Sequence, residues 1–338
     1  MNRIRLNGAY LLLACVMFSL HCIGQDIHWS QFNDNPVFQN PGNAGHFNGD
    51  YRFVGNYRNQ WKSVTIPFST LSFSADGRLY NHQEIGYGIV FFHDVSGDGK
   101  LRTIEFQANG SYLFKLTPDS LHTLRAGVNL GLNHRQVNWD QLYFDNQFNG
   151  VIFDPTLPSG ELFQSDRRTN FSLGTGAVYE YYRNKRQKFT VGMGVYNLNR
   201  PDQGFYGEKV SRDIRFNLHG KGLYKLDIDW DLVPGFALSL QGKYRELVLG
   251  SSVKYTLIDR LGTYRAVYGG LWYRNRDAAI LTVGMDYQSW FAGISYDINF
   301  SKLVPASNAR GGIEFAVRYI LHHFKPSKAL HRICPDYI

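Results

Sequence analysis

The chain is poor in cysteine, in proline and in long apolar runs. It holds 3 cysteines in 338 residues, and two of them, Cys15 and Cys22, belong to its leader-like first segment. One remaining thiol, Cys334, makes no disulfide framework, so cross-links do not hold the fold together. Proline numbers 11 against 34 glycines with no triplet period, which excludes a collagen-like chain. After Gly24 no apolar run approaches the roughly 20 residues of a membrane-spanning helix. Basic residues outnumber acidic ones for a net charge of +8, or +6 without Arg3 and Arg5, but they are dispersed. Dispersed charge leaves no nucleic-acid footprint, and no nucleic-acid partner is expected. Aromatic residues are abundant, at 15%, and disordered chains lack them.

The opening "MNRIRLNGAYLLLACVMFSLHCIGQ" has a basic start and an apolar stretch from Ala9 to Leu20, the pattern of a signal peptide over 1–24 with cleavage after Gly24. A membrane anchor is the competing reading, against which Ser19 and His21 interrupt the run. Leu12-Leu13-Ala14-Cys15 also has the form of a lipoprotein box, but the apolar Val16-Met17-Phe18 follows where a polar start to the mature chain would be expected.

Beyond the leader the dominant signal has period two. Ile104, Phe106, Ala108, Gly110 and Tyr112 alternate with Glu105, Gln107, Asn109 and Ser111, and Tyr51, Phe53, Gly55 and Tyr57 with Arg52, Val54, Asn56 and Arg58. Successive strand side chains point to opposite faces, so each such segment has one apolar and one polar wall. Strands are expected near 50–58, 67–76, 85–94, 101–115, 121–133, 169–182, 188–198, 212–226, 232–243, 246–256, 264–274, 278–287, 289–299 and 312–322. Most run to about ten residues, the length of a tilted bilayer crossing and longer than the usual 5–6 of soluble strands. A soluble sandwich also alternates, but here the long connections, 134–168, 199–211 and 300–311, all fall at one end, with short turns at the other. That asymmetry belongs to outer-membrane barrels. Glycines inside strands, such as Gly86, Gly127, Gly176 and Gly192, fit bends and close packing between wall and lumen. The expected fold is an all-β, transmembrane antiparallel outer-membrane β-barrel of about 14 strands over 50–322. An irregular periplasmic or hatch segment over 25–49 precedes it, and a periplasmic tail over 323–338 follows.

Searches for chemistry give little. His322, His323, His331 and Cys334 fit no ordinary zinc spacing. The G-x-G pairs at 174–176 and 192–194 lie inside strand patterns with no helix after them, so they are not dinucleotide sites. "DVSGDGK" at 94–100 lacks the length and terminal Glu of a calcium loop and reads as a hairpin turn. No catalytic residue, cofactor or metal is expected, and the protein is not expected to be an enzyme. Glu105, Arg125, Glu180, Arg215, Lys221, Lys243, Lys254 and Arg318 fall on the polar wall, where they either bind and conduct or pair with one another. The loop 134–168, with Trp139, Tyr143, Phe144, Phe148, Phe153 and Phe163, is either a binding surface or a plug.

The stretch "SQFNDNPVFQNPGNAGHFNGDYRFVGNYRNQW" resembles the opening of the PorP/SprF family of type IX secretion system membrane proteins. The resemblance rests on Ser30-Gln31-Phe32, Asn40-Pro41, Ala44-Gly45, Tyr51-Arg52 and Asn56 to Trp61, together with the later "VGMGVYNLNRPDQGF", "GGLWYRNRDAAILTVGMDYQ" and "FAGISYDINFSKL". It implies the outer membrane of a Bacteroidetes-type bacterium with both termini periplasmic. It also implies a role in secreting or attaching cargo that bears a type IX C-terminal signal, in some systems for gliding. The implied partners are the lipid bilayer, the periplasmic ring and a peptidoglycan-associated subunit. A channel for small or hydrophobic solutes is the alternative. Two departures stand out: the end reads Cys334-Pro335-Asp336-Tyr337-Ile338 where family chains often end close to a Cys-Pro-Arg-Phe, and Gly312-Ile313-Glu314 keeps only the carboxylate of the His-Glu that members often carry before the last strand. Gln31, Phe32, Asn40, Pro41, Tyr57, Arg58, Trp61 and Cys334 are the candidate partner or hatch residues, with Asn40-Pro41-Gly42 forming a turn. The aromatic residues of 25–49 are expected to pack against the lower, periplasmic part of the lumen.

Overall fold

The computed structural model describes residues 26–60, 67–161, 165–205, 209–260, 262–301, 304 and 309–322. The leader, Trp61, Phe163 and the tail with Cys334 lie outside the described residues. Fourteen antiparallel strands follow one another around a closed barrel, and β1 completes it by pairing with β14. They are β1 Tyr51–Gln60, β2 Phe68–Leu79, β3 His82–Ser96, β4 Leu101–Lys115, β5 His122–Gln136, β6 Arg167–Asn184 and β7 Gln187–Tyr196. The second half comprises β8 Arg215–Lys225, β9 Trp230–Gln241, β10 Tyr244–Arg260, β11 Thr263–Arg274, β12 Ala278–Tyr287, β13 Trp290–Asn299 and β14 Arg310–Leu321. Closure sets Tyr51 opposite Leu321 and Gln60 opposite Gly312, so no strand edge is left unpaired. In a bilayer, where water cannot satisfy backbone amides, that closure is obligatory.

The barrel is inside out relative to a soluble fold. Along β1, Arg52, Val54, Asn56 and Arg58 are buried, whereas Tyr51, Phe53 and Tyr57 are exposed. Along β5 the buried set is Arg125, Gly127, Asn129, Gly131 and Asn133, and Val128 on the outer face is 64% exposed. Outward aliphatic side chains such as Val128, Leu130, Leu271 and Val283 occupy the middle of the wall. Aromatic pairs gather nearer its rims, with Trp290 against Tyr319 at 4.5 Å at one and Tyr273 stacked on Phe300 at 5.8 Å at the other. Rings at both rims and aliphatic chains between them are the profile of a bilayer-facing surface.

Both barrel termini, Tyr51 and Leu321, lie at the end where β2 and β3, β6 and β7, and β12 and β13 are joined by short turns. We call this the turn end, and the opposite end the loop end. The loop end carries the long connections after β5, β7 and β13. The strand expectations hold to within a few residues, with one consequence. Lys243, assigned to the polar wall, instead lies exposed in the tight turn between β9 and β10, where Gly242 takes a positive φ of 55°.

Outward positions at mid-wall set a testable asymmetry. Val128→Lys places a charge on the lipid face and should cost about 2–4 kcal/mol, read by denaturant unfolding of the protein folded in lipid vesicles. The same charge at rim position Tyr287, where headgroups are close, should cost about 1 kcal/mol or less.

Candidate functional site: a plug threaded through the lumen

Residues 26–50 form no regular domain, but they are built of three short turns, Phe32–Asp34, Pro36–Gln39 and Pro41–Asn43. Prolines start the second and third turns, where a missing N–H is no loss. Asn40 caps the third: its Oδ1 accepts from Gly42 N at 2.8 Å, the expected Asn-Pro-Gly turn. Contrary to the expectation from its sequence, the segment is not confined to the lower lumen. It begins at the loop end, descends the whole lumen and joins β1 at the turn end. Irregular backbone at membrane depth is stable only where protein groups satisfy it, and the polar wall supplies them at every level.

At the loop end, Arg212 Nε donates to Asp26 at 2.8 Å and Arg212 Nη1 to Glu105 at 3.2 Å, with Arg215 3.7 Å from Asp26. Burial alone would raise the Asp26 carboxyl, but the Arg212 and Arg215 guanidiniums outweigh it and hold it well below the usual carboxylate range. Below this lies the densest network. Backbone N–H groups of Ser30 and Gln31 donate to the two oxygens of Glu314 at 2.8 and 2.9 Å. Ser30 Oγ donates to Asp297 and accepts from Arg274 at 2.7 Å. Arg58 donates to Asp297 at 3.1 Å and to the His28 carbonyl at 2.5 Å. Arg274 reaches Asp297 at 2.9 Å. Arg58 and Glu314 are 2% and 1% exposed, so neither charge has water to fall back on.

Midway, apolar side chains interrupt the polar wall and receive the plug's rings. Phe38 meets Trp29 and Phe92 edge to face at 6.4 and 5.7 Å, and Phe32 meets Trp272 at 5.4 Å. Asn40 Nδ2 donates to the Ala177 carbonyl at 3.1 Å and lies 3.3 Å from His219 Nε2. The plug backbone presses on wall glycines. A Cβ on Gly127 would sit 2.5 Å from Gly42 N, and one on Gly86 would sit 2.2 Å from the Ala44 carbonyl. At the turn end, Asp76 clamps Gly45 N at 2.8 Å and Arg52 Nη2 at 2.7 Å. Arg52 also donates to the Asn43 carbonyl at 3.0 Å and lies 4.6 Å above the Phe47 ring. Gly45 itself needs glycine, because its φ is +68° and its Cβ would strike the Gly77 carbonyl.

Of the candidate residues, Gln31, Phe32, Asn40, Pro41 and Arg58 meet in this interior. Tyr57 does not: it points outward, where its hydroxyl takes hydrogen bonds from Asn59 and Ser69. Alternation explains this, since neighbours on one strand cannot both face the lumen. Asp76, Arg274 and Asp297 carry the network but were not singled out from sequence. Their signal was a charge at an inward position of a strand already recognised. The wall charges largely pair with the plug or with each other, as Glu180 with His46 at 3.1 Å and Lys254 with Asp231 at 3.3 Å. The long loop is not the plug. Its Tyr143 is 78% exposed at the loop end, Phe148 bridges to Phe153, and Trp139 packs on Phe205 of the next long loop. The G-x-G pairs lie in β6 and β7, and 94–100 makes the β3–β4 hairpin turn.

Fold and plug define the class: this is an outer-membrane β-barrel whose lumen is occupied by its own N-terminal segment. The chain belongs to the PorP/SprF family, described as type IX secretion system membrane proteins, whose model matches residues 22–319. No curated protein matches it. Among solved structures it resembles the Pseudomonas putida toluene transporter TodX at 10% identity, with 88% of this chain and 95% of that one covered and a TM-score of 0.52. It is similar, too, to the Ralstonia pickettii toluene transporter TbuX at 10% identity, covering 86% and 94%, with a TM-score of 0.51. At such identity the likeness shows the barrel fold.

Removing one partner of a buried charge pair typically costs 3–5 kcal/mol. Arg58→Met should therefore lower hydrogen-exchange protection of residues 28–34 by about two orders of magnitude or more, with protection of β3–β6 unchanged. A pH dependence follows from His28. Burial, with Arg58 and Arg274 beside it, pulls its imidazole well below the ordinary range, so it is neutral when docked. The undocked segment binds the proton at its ordinary value near 6.5, so docking is at full strength above that pH. Below it docking weakens by up to about 1.4 kcal/mol per pH unit. Protection of 26–34, corrected for intrinsic exchange, should fall from pH 7.5 to pH 5.5, and less steeply in His28→Gln.

Proposed function

We propose that this barrel serves type IX secretion as a closed docking platform and not as an open conduit, aiding the export or surface attachment of cargo proteins, gliding adhesins among them. The reading places the loop end outside the cell and the turn end in the periplasm, after removal of a signal peptide over residues 1–24. Cargo bearing a type IX C-terminal signal would engage the loop end. Envelope machinery, the periplasmic ring and a peptidoglycan-associated subunit, would engage the turn end and the tail carrying Cys334. No catalytic step is assigned to it.

The single observation that carries this reading is the plug itself. It fills the lumen at three levels and is tied to the wall by ion pairs at Asp26 and Asp34 and by the Ser30 and Gln31 amides on Glu314, so the barrel interior is spent on holding structure. Meanwhile the loop end displays Tyr143, Phe148, Val151 and Ile152 to solvent. Exposed apolar groups on a loop held by a rigid scaffold favour a binding role there.

A second reading is a channel for small or hydrophobic solutes. It is favoured by the likeness to the two toluene transporters and would require the plug to move. The two readings part in cells. With the gene deleted and the intact chain restored, surface display of type IX cargo should return. Restoration with a chain in which Tyr143, Phe148, Val151 and Ile152 are replaced by Ser should leave the barrel in the membrane but lower displayed cargo about tenfold. Normal display by that variant, together with loss of small-solute uptake in the deletion strain, would favour the channel.

A further inference from the structure

The plug meets the two sides of the barrel in different ways. Toward β13, β14 and β1 it is held by direct charge-assisted bonds at His28, Ser30 and Gln31. Toward β8, β9 and β10 a cavity of about 50 Å³ lies between plug residues from Ile27 to Gln39 and the wall, where Arg215, Ala237 and Glu246 border it.

Five residues that line this cavity each carry a buried polar atom with no hydrogen-bond partner among the described residues. The atoms are His28 Nε2, Trp29 Nε1, Asn35 Oδ1, Gln39 Nε2 and Arg215 Nε. Trp29, Asn35, Gln39 and Arg215 are 4%, 1%, 7% and 7% exposed, so bulk solvent does not reach them. Asn35 Nδ2 is bonded to Ser72 Oγ at 3.0 Å, which leaves the amide oxygen. Arg215 Nε lies 3.7 Å from Asp26, an ion pair too long for a hydrogen bond. Native folds leave few such atoms bare, and five around one small cavity point to an occupant.

We propose that a cluster of about three ordered water molecules fills this cavity and joins the plug to β8–β10, since each water needs on the order of 10–15 Å³ and two to four polar partners. The atoms to be met are of both kinds. Trp29, Gln39 and Arg215 present N–H donors, Asn35 presents an acceptor, and His28 Nε2 accepts when Nδ1 carries the proton toward Glu246. Water donates and accepts, so one species answers all five. The charges beside the cavity already answer one another: Arg215 has Asp26, and Glu246 lies 3.6 Å from His28 and 3.7 Å from Arg274. An anion would face Glu246 and the Asn35 oxygen, and a cation would face Arg215. Size excludes larger neutral ligands, because benzene takes a cavity of about 150 Å³. The water site goes beyond the secretion role and does not depend on it.

Solid-state NMR of the isotope-labelled full chain in lipid bilayers tests the site, with water itself as the probe. Trp29→Phe assigns the Trp29 indole signal. Polarisation from water should reach that indole N–H several-fold faster than the methyls of Val37, which is buried in an apolar cluster and does not line the cavity. A second measurement fills the space. Ala237→Val adds methyl groups at the β9 side of the cavity and displaces water from the polar atoms. It should lower hydrogen-exchange protection of residues 28–39 about tenfold or more, whereas in a dry cavity the same methyls would raise it. Ala237→Ser, whose hydroxyl stands in for a water, should leave protection near that of the intact chain. Heat-modifiable gel mobility confirms that each variant has folded as a barrel. Transfer to Trp29 no faster than to Val37, protection unchanged or raised by Ala237→Val, or an equal loss in Ala237→Ser would each overturn the proposal.

Discussion

The structure depends on one arrangement above all, the buried meeting of Arg58, Arg274, Asp297 and Glu314 around the backbone of Ser30 and Gln31. A carboxylate and a guanidinium taken out of water lose hydration worth several kcal/mol each, which only close, fully bonded partners return. Here each charge has at least two partners, and some partners are plug atoms: the Ser30 hydroxyl, the Ser30 and Gln31 amides and the His28 carbonyl. Without the plug the wall charges would need water in its place, and without the wall the plug amides would have no partners.

That interdependence explains features that look unrelated in isolation. Glycines on the inner wall at 86, 127 and 176 are places where the plug backbone or the Asn40 side chain lies closer than any Cβ would permit. The apolar interruptions of the polar face, such as Val90, Phe92, Val248 and Trp272, are where plug rings are buried. Arg52 and Arg58 stand three turns of alternation apart on β1 and grip opposite ends of the same segment, through Asn43 and His28 respectively. The resemblance to PorP/SprF chains thus has a physical basis in this stretch. Ser30-Gln31, Asn40-Pro41, Ala44-Gly45, Arg52 and Arg58 all belong to the contact between plug and wall. The Glu314 carboxylate, on the last strand, is the acceptor for two plug amides.

Much of this was legible in the chain, for a definite reason. Period-two alternation is a local property, so strands, their number and their inward faces could be read from segments such as 104–112 and 124–133. The asymmetry of connection lengths gave the two ends. What alternation cannot give is which inward residue faces which across the lumen. Asp76, Arg274 and Asp297 were recognisable as strand residues, but their meeting with Ser30, Asn43 and Arg58 depends on closure of the barrel and on the path of an aperiodic segment. The length of that path is not legible in the sequence, because scattered aromatics say that a segment is buried without saying how far it runs. Lys243 differs for the opposite reason: alternation continues by one residue into a tight turn and does not mark where the wall stops.

An occupied lumen separates this barrel from an open pore and makes its loop-end connections and turn-end rim the surfaces available to partners. The claim beneath that statement is that residues 26–50 close the lumen by themselves. Single-channel recording in planar bilayers measures it directly, by comparing the intact chain with one lacking 26–45. The account predicts no steady conductance from the intact barrel and a steady, large one from the truncated barrel. An open, steady pore formed by the intact chain would contradict it.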